Sequence, residues 1–135
     1  FTSNMTTGTA YAEIWSGSAP IIEHCEFTHI VLTIRADLRS TDAEITYNVC
    51  RDGYYSLYFA AQDNTIVDPG QISNNDFDGN TNGIFLSGVD TGGEDIPLQN
   101  NYWLDGTPTL LGSVTASINF DPVLASPPAT AGPTW

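Results

Sequence analysis

Residues 113–120, SVTASINF, alternate without a break: Val114, Ala116, Ile118 and Phe120 share one parity, and Ser113, Thr115, Ser117 and Asn119 the other. Successive side chains of a strand point to opposite faces, so this pattern predicts a half-buried β-strand. AEITYNVC (43–50) behaves the same way, with Ile45, Tyr47 and Val49 against Glu44, Thr46, Asn48 and Cys50. Further strand-like runs are TAYAEIW (9–15), FTHIVLTI (27–34), YYSLYFAA (54–61), GIFLSGV (83–89) and IPLQNNYWL (96–104). In 54–61 both parities are apolar, which suits a strand covered on both sides or one at a subunit contact. No long helical periodicity and no internal repeat is read; ADLRSTD (36–42) has room for a single helical turn.

Turn-forming residues separate these runs: SGSAP, RSTD, RDG, DTGGED and DGTP. Six or seven short strands joined by turns predict an all-β chain, an antiparallel β-sandwich or barrel. The segment 63–82 is long for such a fold and is the expected functional loop. The division expected is an N-terminal extension (1–12), one β-sandwich domain (13–121) and a Pro-rich tail (122–135), exposed or extended.

Composition narrows the partners. The chain has 135 residues, 3 Lys plus Arg against 16 Asp plus Glu, and a net charge of −13. Nucleic acid would be repelled, because there is no basic surface to release counterions. No run approaches the length of a membrane span. The start at Phe1 reads as a mature, secreted form whose leader has been removed. Cys25 and Cys50 are the whole thiol supply. One disulfide is the simple reading, worth about 3 kcal/mol in the chain-entropy model. Two buried free thiols are the alternative.

Taken in order, these runs resemble a chaperone–usher pilus (fimbrial) subunit. GTAYAEIW leading to Cys25 is similar to the family's first strand and first Cys, and AEITYNVC to the second strand ending in the second Cys. YYSLYFAAQDN resembles the third strand. NGIFLSGVDTGGEDIPL and GSVTASINF resemble the later strands, the last being the closing one. The resemblance implies an immunoglobulin-like sandwich lacking one strand, completed by a neighbour's N-terminal extension through β-strand addition. The donor would be residues 1–12, with Phe1 and Met5 on one parity and Thr6, Gly8, Ala10 and Ala12 on the other. The acceptor groove would be walled by Val114, Ala116, Ile118 and Phe120. It further implies a head-to-tail homo-oligomeric filament on the cell surface, with a periplasmic chaperone and an outer-membrane usher as partners.

Other chemistry is weighed residue by residue. Asn74, Asp76 and Asp78 followed by Gly79 are similar to the start of a calcium loop. The twelfth position, where an acid is expected, is Phe85, and plain turn formation explains the same residues. His24 and His29 are the only imidazoles and lie in strand-like sequence. Glu94 and Asp95 read as solvated turn residues. With no nucleophile or metal-protease motif, no enzyme is expected. Trp15, Trp103, Tyr102, Tyr54, Tyr55 and Tyr58 are candidates for a sugar-stacking platform, against the ordinary role of aromatics as core. Asn4-Met5-Thr6 matches a glycosylation sequon.

Two functions follow. The first is a structural filament subunit polymerising by strand complementation. The second is a self-contained secreted β-sandwich, its sheet completed by Val123 and Leu124 of the tail. Such a module would bind calcium or carbohydrate, or decorate a capsid-like particle.

Overall fold

Ile22 pairs in register with Ile45, and Ile45 with Ile72. Both pairings are parallel, which an antiparallel sandwich does not allow. The computed structural model describes residues 10–15, 19–35, 43–66, 71–90, 95–104, 106–112 and 117–134. Within them lie β1 (Ala10–Trp15), β2 (Ile21–Glu23), β3 (Glu26–Thr28), β4 (Ile30–Arg35), β5 (Glu44–Thr46) and β6 (Val49–Arg51). These are followed by β7 (Tyr55–Ile66), β8 (Gln71–Ser73), β9 (Asn82–Asp90), β10 (Asp95–Pro97), β11 (Leu110–Gly112) and β12 (Ser117–Asn119). The expectation of an all-β chain holds, with no helix among the described residues. The expectation of antiparallel pairing does not: every strand pair between these elements is parallel.

Parallel neighbours need a long crossover, and here the crossover is the rest of one coil. The sheets are β1-β4-β7-β9-β11, β2-β5-β8, β10-β12, stacked on the β8 rung through the Asn101 Nδ2 bond to the Ile72 carbonyl, and β3-β6. Single-residue bridges extend the last, from Val49 to Asp76, Tyr102 and Leu124. The chain therefore winds through three faces in turn in five successive coils, each one rung further along. This is a parallel β-solenoid, a stack in which each coil contacts its neighbours. The resemblance to pilus subunits was placed on an antiparallel frame that these pairings do not provide.

The coil carries a repeat that the sequence reading does not find. An apolar residue is followed two positions on by a left-handed corner, then directly by a ladder residue. Two positions beyond that sits an interior residue, and then a second corner. The series are Ile22, His24, Cys25, Phe27, His29; Ile45, Tyr47, Asn48, Cys50, Asp52; and Ile72, Asn74, Asn75, Phe77, Gly79. The fourth is Leu98, Asn100, Asn101, Trp103 and, one residue later than the pattern, Gly106. All eight corner residues have φ between 53° and 85°. For a side chain such as Tyr47 that region costs about 1–2 kcal/mol, while Asn and Gly occupy it readily. Turning sharply at the same two places in every coil keeps the three faces in register.

Inside the coil the apolar columns close on each other. Leu57, Phe59, Ile84 and Leu86 of the first face are fully buried against Ile45, Ile72, Ile96 and Leu98 of the second. Phe27, Cys50, Phe77 and Trp103 complete the third side, Phe77 and Trp103 stacking at 4.5 Å between ring centres. Each such side chain stabilises the fold by about 1.5–3 kcal/mol on burial.

One further expectation changes: the long segment 63–82 is not one loop, and holds the end of β7, all of β8, the Asp76 bridge and the corners at Asn74 and Gly79. Of SVTASINF, Ser117–Asn119 forms β12 and pairs on the second face, and 113–116 lie outside the described residues. The 36–42 turn also lies outside them.

Candidate functional site

One column of side chains links four rungs. Asn48, Asn75 and Asn101 are all fully buried. The Oδ1 atoms of Asn48, Asn75 and Asn101 accept the backbone N–H of Cys25, Asn48 and Asn75 in turn, at 2.9–3.0 Å. Their Nδ2 atoms donate back to the carbonyls of Ile22, Ile45 and Ile72, at 2.8–2.9 Å. The same Nδ2 of Asn48 and of Asn75 also reaches the next Oδ1. Only a short primary amide carries both a donor and an acceptor at this distance from the backbone. The left-handed residue before each Asn turns backbone groups inward, and the amide satisfies them where no water reaches.

Of the candidate calcium residues, Asp76 and Asp78 lie close enough for the Asp78 charge to act on Asp76. Asn74 sits at a corner, its amide directed to the Ser73 hydroxyl. The Asp76 carboxylate accepts the Asp78 backbone N–H at 3.0 Å and lies 3.4 Å from Arg51. Burial raises the Asp76 pKa above the carboxylate norm, opposed by the Asp78 amide and the Arg51 charge. Among the described residues no group of three or more His, Cys, Asp or Glu side chains comes together.

Cys25 and Cys50 are free thiols, a correction to the disulfide expectation. They stand in different columns. Cys25 takes the ladder position of the first coil, its thiol donating to the Glu23 carbonyl at 3.3 Å. Cys50 takes an interior position, fully buried. Burial drives its pKa far above the usual thiol value, reinforced by the Asp76 and Cys25 charges.

Of the donor residues, Phe1, Met5, Thr6 and Gly8 lie outside the described residues. Ala10 and Ala12 belong to β1 and pair with Ile30 and Leu32 of their own chain, so this stretch is an integral first strand. Of the groove residues, Val114 and Ala116 are outside the described residues. Ile118 and Phe120 pack on the chain's own core, Phe120 edge-on to Trp103. The tail is not loose. Leu124 bridges Tyr102, the Gly132 N–H donates to the Tyr47 carbonyl at 2.7 Å, and His24 Nδ1 meets the Thr130 carbonyl at 3.0 Å. It runs back along the side of the stack from the fifth coil to the first.

The end of the stack has its own chemistry. β1, β2 and β3 are each the edge of a sheet, with one strand neighbour among the described residues. Ile21 of β2 is 68% exposed at that edge. The sugar-platform candidates divide. Tyr54, Tyr55 and Tyr58 gather with Phe85, Tyr58 and Phe85 stacked at 5.0 Å. Trp103 is buried, and Tyr102 is half-buried in a bridge on the third face. The stacked rings turn their faces to one another, which suits a packed ladder better than a sugar platform. Sequence reasoning missed the Asn column and the edge role of Ile21. The Asn-Asn pairs at 74–75 and 100–101 were the available signal.

No family model matches the chain, and no curated protein or solved structure matches it.

Proposed function

We propose that the chain is a structural module of an extracellular fibre, lengthened by parallel addition of further copies at the strand edge. The observation that carries this reading is the edge formed by β1 and β2, each of which has one strand neighbour among the described residues. An open strand edge is a template for another strand. In a solenoid each coil is related to the next by nearly the same shift, so adding a copy repeats an arrangement already present inside the chain. A contact of this kind joins one end of a molecule to the other end of its neighbour, and propagates as a filament.

Two details support it. Ile21 places an exposed apolar side chain on the edge strand β2. The tail turns back along the side of the stack, bonding at Tyr47 and His24 instead of continuing past β12. The net charge of −13 opposes association at low salt. Assembly is therefore expected to strengthen as ionic strength rises through the range where the screening length falls below about 8 Å.

The test is light scattering and negative-stain microscopy of the protein across a salt series, with Ile21→Lys as comparison. Head-to-tail fibres that lengthen with salt and are lost in Ile21→Lys, the variant retaining its circular dichroism, support the reading. A salt-independent monomer at high protein concentration rejects it.

A further inference from the structure

One file of side chains runs the length of the second face. Glu23 pairs with Thr46, and Thr46 with Ser73. The Asn101 amide meets the Ile72 carbonyl as the Asn75 amide meets that of Ile45. Leu98 therefore stands on Ile72, and Gln99 on Ser73. Pro97 pairs with Asn119, and the Asn100 N–H donates to the Pro122 carbonyl at 2.7 Å, which sets Gln99 on Asp121. The third face keeps the same step. The N–H groups of Val49, Asp76 and Tyr102 donate to the carbonyls of Cys25, Asn48 and Asn75, and that of Leu124 to Asn101.

The file reads Glu23, Thr46, Ser73, Gln99, Asp121. Its inner members are neutral. Its two end members are carboxylates, and both are exposed. Within one chain the neutral rungs keep these charges apart. A second copy added with the coil's own step would bring its Glu23 beside Asp121, at the strand spacing of about 4.8 Å. Like charges directly opposite each other on neighbouring strands are destabilising. At that separation they lie inside the screening length of about 8 Å in physiological salt. In the adjacent file the same step sets Ile21 on Asn119, which carries no charge.

We propose that the fibre contact continues the coil register, stacking Glu23 of one copy on Asp121 of the next. This inference rests on the fibre reading and adds its register and its control. The like-charge pair exists only at the joint, where it holds self-association weak. The coils inside the chain carry no such pair in this file, so a joint is weaker than the stack it extends. A copy with a basic residue at either position is the better partner for its neighbour.

The experiment measures the critical concentration for fibres by pelleting the full chain at about 0.15 M salt. Glu23→Lys and Asp121→Lys each turn the joint into an opposite-charge pair, and each should lower that concentration about fivefold. Glu44→Lys, exposed on an inner rung, changes the net charge equally. It should lower the concentration by about twofold at most. The double variant Glu23→Lys with Asp121→Lys restores a like-charge pair. It should assemble as weakly as the parent, although it is the least acidic of the set. All four positions of comparison are read with circular dichroism and thermal midpoint unchanged. The register is overturned if neither single swap exceeds Glu44→Lys, or if the double variant assembles as readily as the singles. Parent fibres still lost in Ile21→Lys would then leave the fibre reading standing. If neither the parent nor any variant assembles, both readings are rejected.

Discussion

Asn75 Nδ2 donates to Asn101 Oδ1 at 3.0 Å across adjacent coils, while Asn75 Oδ1 accepts the Asn48 backbone N–H at 2.9 Å. The side chain is thus a relay between three rungs. Asn75→Ala would strip the acceptor from the Asn48 N–H and the donor from the Ile45 carbonyl, both in the dry interior. The expected loss is about 3 kcal/mol, measured by urea unfolding. Asn75→Asp should be worse, since a carboxylate accepts but does not donate. Wild-type stability in Asn75→Ala would mean that the column is ornamental.

Thiol chemistry separates the two cysteines. Cys50 is buried and its pKa is raised by that burial, so its reactive thiolate is scarce. Cys25 is only partly buried. Under native conditions iodoacetamide should modify Cys25 first, with Cys50 reacting only on unfolding. Mass spectrometry after timed labelling reads this directly. Protein purified without reductant should still titrate as two free thiols in denaturant.

Asp76 gives a pH dependence with a definite sign. Its folded pKa is raised, chiefly by burial. The fold therefore favours the protonated form, and this contribution is present below the ordinary carboxylate pKa of about 3.9 and lost as pH rises through the folded value. Asp76→Asn keeps an acceptor for the Asp78 N–H and removes the buried charge. Its melting temperature should exceed that of the parent at neutral pH, and the advantage should shrink in acid. A thermal scan from about pH 3.5 to 7 checks it.

The tail acts as a strap from the last coil to the first two. Gly132 is buried with φ of 89°, and a Cβ there would press on Val49 at 3.1 Å. Gly132→Val should detach it by adding both backbone strain and a clash. Hydrogen exchange is then expected to accelerate at Tyr47 and Val49 more than at Ile84 and Leu86, which lie on the first face. Uniform acceleration would mean that the strap carries no local load.

What the sequence determined by itself was local. Alternation such as that of Ile45 against Glu44 and Thr46, together with frequent turn residues, is enough to predict strands and the absence of helices, because these patterns act within a few residues. Acidity and the short supply of cysteine are likewise read directly. Strand direction is not local. Ile45 shows the same alternation whether its neighbour runs parallel or antiparallel, and only the three-dimensional path places Ile22 on one side and Ile72 on the other. It also turns Asn48, Asn75 and Asn101, scattered polar residues in the chain, into one buried column. The repeat that links them is held by conformation more than by residue type: His24, Tyr47, Asn74 and Asn100 share a corner because of their φ angles, and three different amino acids at those four positions leave little for a sequence reading to match.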